Sequence, residues 1–383
     1  MTTYQRLGDY IREVNVRNRD EKITNLQGVS ISKMFIPSIA NTIGTDMSTY
    51  KIVKPGQFAY GPVTSRNGDK VSIALYEDNK DAIISQAYTV FDVIDNNEVS
   101  NKYLMMWFLR PEFDRYARFY SHGSAREIFD WDELCNVMIP LPSIDRQREI
   151  VEEYETLSRR ISLNEQMIQK LEATAQALYR KMFVDDIDKE NLPEGWRMGT
   201  IGDLGEIVGG ATPSTNNPDY WSDNGIIWLS PADLSKQATK FISKGAKDIT
   251  ELGYNSCSTK MLPKGSVLFS SRAPIGLMAI TTQELCTNQG FKSIIPKEDV
   301  GLEYVYYYIL SIKDKIAEEN TGSTFDEVSG QTMKEYSAII PPRDITEEFS
   351  KSVSPIFNYQ QIIEQENSKL TELQSLLLAK MGQ

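Results

Sequence analysis

From Ile150 to Met182, apolar positions recur at steps of four and three: Ile150, Tyr154, Leu157, Ile161, Ile168, Leu171, Ala175, Leu178 and Met182, with Asn164 as a polar member. That is the spacing of a heptad seam, and it predicts one long helix. The pattern returns 199 positions later, through Phe349, Val353, Ile356, Ile363, Leu370, Leu377 and Met381, with Gln360, Asn367 and Gln374 at its polar positions. At the usual rise per residue each seam extends about 48 Å, longer than a small domain needs for its own core. Such helices need a partner, and each copy is the natural partner of the other. Antiparallel pairing would place the two preceding segments at opposite ends of a rod, with the polar seam residues specifying register or facing a separate subunit. A plain helical hairpin holding two domains together is the competing reading.

The segments before each seam are patterned differently, as short apolar runs broken by Gly, Asn, Asp and Pro. Ile52, Val53, Phe58 and Tyr60 flank a Pro55-Gly56 turn, and Val71, Ile73, Leu75 and then Ala82, Ile83, Ile84 predict further strands. A helix is expected from Asn101 to Tyr116, its Tyr103, Leu104, Trp107 and Phe108 forming a core stripe. Ile139-Pro140-Leu141-Pro142 ends an extended segment, because proline biases the preceding residue away from helix, and Ser143 or Asp145 can cap the long helix beyond it.

This order of elements is written twice. Leu7-Gly8-Asp9 is echoed by Ile201-Gly202-Asp203, Val53-Lys54-Pro55-Gly56 by Leu262-Pro263-Lys264-Gly265, and Gly123-Ser124 by Gly322-Ser323. Duplication of a head-plus-helix unit is the simplest account. The expected fold is α+β: two mixed α/β recognition domains separated by two long antiparallel coiled-coil spacer helices, in a pseudo-twofold internal repeat. Expected limits are 1–142 for the first head, 143–184 for the first helix, 185–342 for the second head with its entry linker, and 343–383 for the second helix.

A net charge of -12 over 383 residues argues against a protein that grips nucleic acid alone through a broad basic surface. It leaves room for a subunit that reads base edges while partners hold the backbone. Local charge is separate from total charge: the first head carries Arg66, Lys70, Arg110, Arg115, Arg118 and Arg126, and the second Lys236, Lys240, Lys244, Lys247, Arg272 and Lys292, with a solvated face as the default explanation for any one of them. Cys135, Cys257 and Cys286 have no metal-ligand spacing, and no apolar run has membrane-spanning length. A reduced, cytoplasmic protein with no membrane partner is expected.

Catalytic chemistry is sparse. Asn217-Pro218-Asp219-Tyr220 approaches the Asn/Asp-Pro-Pro-aromatic loop of an amino-methyltransferase, but Asp219 replaces the second proline, and a turn is the expected reading. There is no phosphate-binding G-x-x-x-x-G-K motif, and the single histidine, His122, lacks the neighbours of a zinc site or a nucleophilic triad. No catalytic, cofactor-binding or metal-binding residue is expected in this chain. What remains are loops rich in hydrogen-bond donors. Ser271 and Arg272 lie on a Pro/Gly turn where a guanidinium can pair with guanine, while Asn288 and Gln289 offer amides suited to adenine beside Lys292. Arg66, Asn67, Lys70, Gln86 and Arg126 occupy broadly comparable places in the first head, and Lys236 completes the candidate DNA-binding set.

These residues resemble the specificity subunit of type I restriction-modification enzymes. The likeness rests on Gly209-Gly210-Ala211-Thr212-Pro213-Ser214, Asn217-Pro218-Asp219-Tyr220-Trp221, Trp228-Leu229-Ser230-Pro231-Ala232-Asp233-Leu234, Ser271-Arg272-Ala273-Pro274-Ile275-Gly276 and Asn288-Gln289-Gly290-Phe291. Both head-to-helix junctions match, through Ile139-Pro140-Leu141-Pro142 and Ile340-Pro341-Pro342. The first head departs from the pattern, since Arg66-Asn67-Gly68 lacks the Ala-Pro-Ile-Gly continuation of Arg272. The resemblance implies that each head reads one half of a split site in double-stranded DNA, with the helices setting the gap. It further implies a scaffold for two modification subunits, which use S-adenosylmethionine, and for restriction/translocase subunits, which use ATP and Mg. A protein-assembly scaffold that reads no DNA is the alternative.

Overall fold

The computed structural model describes residues 4–38, 44–65, 67–68, 70–123, 126–237, 239–320 and 327–382. The chain forms two compact units, Met1–Ser162 with Lys369–Gln383, and Leu163–Ser368. The repeated heptad pattern appears as two helices, Ile144–Phe183 and Arg343–Lys380, of 40 and 38 residues, and the division between units runs through both. They pair antiparallel. In the first unit the Gln374 Nε2 donates to Ser158 Oγ at 2.7 Å; in the second, Asn164 Nδ2 donates to Asn367 Oδ1 at 2.8 Å and Gln360 Nε2 to the Ile168 carbonyl at 3.4 Å. Of the seam residues, Phe349 and Ile363 are buried, while Ile150, Leu157, Ile161, Ile168, Leu171, Leu178, Ile356, Leu370 and Leu377 are half-buried. The second helix runs through Pro355, whose position is exposed, so the carbonyl it leaves unpaired can be hydrated.

In the first unit, strands Ile11–Val14, Thr89–Val93, Phe58–Tyr60 and Ile73–Leu75 form one antiparallel sheet in that order. A second sheet has the order Phe35–Pro37, Leu26–Val29, Ala82–Ile84, Lys51–Val53, its central pair parallel. Phe58 stacks on Phe91 with ring centroids 4.9 Å apart, and Phe108 meets both rings edge-on. The expected stripe of Tyr103, Leu104, Trp107 and Phe108 is buried in this core. The helix expected from Asn101 to Tyr116 is instead two helices, Asn101–Leu109 and Pro111–Phe119. The break is at Arg110, which is extended (φ -68°, ψ 136°) because the Pro111 ring disfavours helical geometry in the residue before it.

The second unit also holds two main sheets, of five and four strands. Its larger sheet has the order Gly205–Gly209, Lys292–Pro296, Val267–Phe269, Met278–Thr281, Phe241–Ile242, the last strand joining in parallel. The smaller has the order Trp221–Ser222, Lys247–Ile249, Ile226–Leu229, Cys286–Thr287, again with one parallel pair. The echoed turns share a conformation: Gly56 and Gly265 have φ of +86° and +85°, which only glycine adopts without strain. Their amides donate to the carbonyls of Tyr76 and Thr281 respectively. The echoed Leu7 and Ile201 are both fully buried, and their amides donate to the carbonyls of Val137 and Tyr336, each at 2.8 Å.

Candidate nucleic-acid interface

In the second unit the dispersed sequence motifs converge on one cluster of loops. The chain leaves strand Val267–Phe269 at Ser270, whose hydroxyl donates to the Pro274 carbonyl at 2.7 Å and accepts from the Leu277 amide at 2.8 Å. The Gly276 amide closes the loop on the Ser270 carbonyl at 3.0 Å, with φ of +93°. Ser271 is fully buried and anchors the loop to its neighbours: its amide donates to the Gly290 carbonyl at 2.8 Å, and its carbonyl accepts from the Val328 amide at 2.9 Å. Arg272 thus stands on a loop fixed at both ends, with its side chain 47% exposed.

Two further segments meet this loop. Lys292 Nζ lies 3.4 Å from Ser271 Oγ, 3.4 Å from the Gln289 carbonyl and 3.3 Å from Glu327 Oε1. Asn288 spends its Oδ1 on the Gly290 amide at 2.8 Å, which shapes the turn that presents Gln289 to solvent. Gln289 Oε1 in turn accepts from the Thr212 hydroxyl. Of the Gly209-Gly210 pair, the second position excludes a side chain: a Cβ at Gly210 would fall 2.1 Å from the Thr287 carbonyl oxygen, so the two segments approach too closely for one. Lys236 stands exposed on the helix Pro231–Gln237.

Sequence reasoning missed Glu327. Its Oε2 is 2.9 Å from Arg272 Nη2 and its Oε1 is 3.3 Å from Lys292 Nζ, so one carboxylate braces both cations. The hydrogen bond from Arg272, then that from Lys292, outweighs burial and holds the Glu327 carboxyl below the usual glutamate value. The bond uses one nitrogen of the guanidinium fork and leaves donors available to an outside acceptor. No local signal could have found this glutamate, because its partners lie 35 and 55 positions earlier in the chain.

The first unit gathers fewer of its candidates. Arg66 lies outside the described residues. Asn67 turns inward, donating from Nδ2 to the Val63 carbonyl at 3.1 Å, so its amide supports the turn. Gln86 and Arg126 are exposed. Lys70 is exposed too and lines a cleft of about 770 Å³ with Lys33, Arg115, Arg118 and Phe119. Three of those cations already have carboxylate partners: Arg115 is 3.1 Å from Glu112, Arg118 is paired with Glu127, and Lys33 with Asp114. The cleft floor is the buried ion pair Lys33–Asp114, at 2.8 Å, which the sequence also did not reveal.

The remaining reactive groups fit structural roles. Cys135 and Cys286 are buried, and burial pushes their thiols up, Cys286 to about 12, away from nucleophilic character. Asn217-Pro218-Asp219-Tyr220 is a turn: Asn217 Oδ1 accepts from the Asp219 amide at 3.1 Å and caps a short 3-10 helix, Pro218–Tyr220. Among the described residues there is no cluster of His, Cys, Asp and Glu able to hold a metal, and no helix long and apolar enough to cross a membrane.

The family model for the type I restriction modification DNA specificity domain matches residues 35–173 and 193–372. The chain is 37% identical over 195 residues to the type I restriction enzyme MjaIX specificity subunit of Methanocaldococcus jannaschii, a match covering 50% of this chain and 44% of that one. It therefore spans less than half the length of that relative. It is 23% identical to the type I restriction enzyme HindI specificity subunit of Haemophilus influenzae, over 98% of this chain and 97% of that one. The crystal structure of a type I restriction-modification S subunit from M. genitalium shares its fold, with a TM-score of 0.62 at 13% identity, covering 100% of this chain and 96% of the other.

Proposed function

The chain belongs to the type I restriction-modification DNA specificity family, whose members are non-catalytic subunits, and from that premise we propose that it reads a split target in double-stranded DNA. The segments 1–142 and 185–342 each take one half-site, and the helical segments 143–184 and 343–383 act as coiled-coil spacers that fix the gap in a pseudo-twofold arrangement. The chain scaffolds two modification subunits, which transfer methyl groups from S-adenosylmethionine, and restriction/translocase subunits, which use ATP and Mg.

The observation that carries this reading is the Arg272 loop. A guanidinium with free donors stands half-exposed on a loop anchored through Ser270 and Ser271, beside the exposed amide of Gln289. A fixed guanidinium can donate bidentately to guanine O6 and N7, and a mismatch at such a contact costs roughly 1–3 kcal/mol. The net charge of -12 fits a subunit whose partners supply much of the grip on phosphate.

The test is methylation sequencing of DNA from a methyltransferase-negative host that expresses the cognate modification subunit with and without this chain. Adenine methylation at one split motif, present only with the chain, is the expected result. No motif from a confirmed soluble complex would reject DNA reading and leave the assembly scaffold.

A further inference from the structure

The second unit carries a segment that the first lacks. In the first, only Ser30 to Met34 separates strands Leu26–Val29 and Phe35–Pro37; in the second, the corresponding strands Ile226–Leu229 and Lys247–Ile249 are separated by residues 230–246. The extra length forms the helix Pro231–Gln237 and the strand Phe241–Ile242, which extends the larger sheet to five strands. Lys240 immediately precedes that added strand.

Lys240 is bound as if in a socket. Its Nζ donates to Glu172 Oε2 at 2.6 Å on the first long helix, to Gln360 Oε1 at 3.1 Å on the second, and to the Tyr307 hydroxyl at 3.1 Å on the helix Leu302–Glu319. An ammonium has three donors, and all three are used. The charge also lies 3.9 Å from the Phe357 ring centroid and 4.7 Å and 5.0 Å from those of Tyr306 and Tyr307, within the range of cation–π attraction. Its side chain is 8% exposed.

Glu364 completes the attachment from the second long helix, accepting from the backbone amides of Lys240 at 3.2 Å and Phe241 at 3.1 Å. Gln360 closes the network by donating to Glu172 at 3.2 Å. Burial raises the Glu364 carboxyl and lowers the Lys240 ammonium, while Glu172, despite burial, is held low by Lys240. The first head is attached to its own helix segment by neutral buried hydrogen bonds, its ion pair there, Lys102–Glu155, being solvent-exposed on both sides. There, Gln147 accepts from the Ser100 amide at 2.9 Å and donates to the carbonyls of Glu98 and Pro142.

The difference bears on function because a buried charge tolerates displacement poorly. Moving the head would leave an ammonium and a carboxylate buried without partners, a far larger penalty than losing a neutral hydrogen bond. Resting on the reading that two heads contact DNA at a fixed gap, we propose that Lys240 is a positioning residue that clasps the second head to the long-helix pair and so restricts the gap. The base preference of either head does not depend on it.

The experiment uses this chain assembled with its modification subunits and a set of duplexes carrying the wild-type half-sites at the wild-type gap and at gaps one or more base pairs shorter or longer. Lys240→Met keeps the apolar stem against the rings and removes the charge; Glu172→Gln removes its partner and serves if the first variant does not fold. The expected result is unchanged half-site bases with use of off-register gaps, relative to the wild-type gap, raised about tenfold, the size of an ordinary coupling between sites. An unchanged gap profile in a folded variant overturns the proposal. A uniform loss at every gap overturns it as well, since that marks stability alone. Absence of any split motif with the wild-type chain would instead remove the reading beneath it.

Discussion

Asn164 Nδ2 lies 2.8 Å from Asn367 Oδ1, so a polar residue in one heptad seam meets a polar residue in the other, 203 positions away. Asn164 also donates to Glu366 at 3.0 Å and is only 5% exposed. A buried amide finds these partners in one register and loses them in any slipped one, as polar seam residues do in coiled coils. Asn164→Leu should destabilise the chain by roughly 1–3 kcal/mol, because Asn367 keeps its desolvation cost without this bond. Adding Asn367→Leu should recover most of that loss. Denaturant midpoints of both single variants and the double variant measure the coupling, and strict additivity would dismiss a register role.

Arg272 and Glu327 make separable predictions. Arg272→Ala should weaken discrimination at one base pair of the second half-site by about 1–3 kcal/mol and leave the first half-site untouched. Glu327→Gln removes a negative charge beside two cations, so binding to unrelated duplex should tighten while the preference at that base pair narrows. Filter binding against matched and mismatched duplexes over a salt series reads both effects. The Glu327 carboxyl is held below its usual value, so its folded-state contribution is present above the usual glutamate range and is lost as pH falls through the lowered value. The brace should therefore be constant around neutral pH. A change in half-site preference between pH 6 and 8, outside that window, would contradict it.

Lys33 and Asp114 predict a stability effect with no direct readout in sequence preference. Their side chains are 4% and 12% exposed, and Asp114 also accepts from the Val71 amide at 3.0 Å. Lys33 has φ of +60° and donates to the Phe108 carbonyl, so the pair ties a left-handed turn to the end of a core helix. Asp114→Ala should cost about 3–5 kcal/mol by leaving a buried ammonium unpaired. Lys33→Met together with Asp114→Ala should be milder than Asp114→Ala alone. Thermal melting of the three variants decides, and a double variant less stable than Asp114→Ala would reject the unpaired-charge account.

The features legible in the sequence were those that repeat locally. The two long helices follow from apolar residues at steps of four and three, and the paired turns follow from Gly56 and Gly265 standing after Lys-Pro or Pro-Lys. The break at Arg110 was also legible in principle, since Pro111 announces it, but the apolar stripe on either side masked the signal. Lys33, Lys240 and Glu327 were not legible. Each is an ordinary charged residue whose role is set by partners at least 35 positions away: Asp114 for Lys33, Glu172 for Lys240, Arg272 and Lys292 for Glu327. Periodicity reports which face is buried, and long-range charge pairing leaves no trace in it.

The spacer reading makes the most quantitative prediction. Inserting one heptad into each long helix at the level of Asn164 and Asn367 preserves the phase of both seams, because seven residues restore the same face. Inserted in both strands of an antiparallel pair, seven residues add about 10 Å at the helical rise of 1.5 Å. Duplex DNA advances about 3.4 Å per base pair, so the permitted gap should grow by about three base pairs. The half-site bases should not change, since no residue of either head is altered. A four-residue insertion adds less length and shifts the seam phase, so it should reduce methylation at every gap more than the heptad does. Methylation sequencing of the two insertion variants beside the wild type gives the gap directly, and a heptad variant that retains the original gap would show that the helices do not set it.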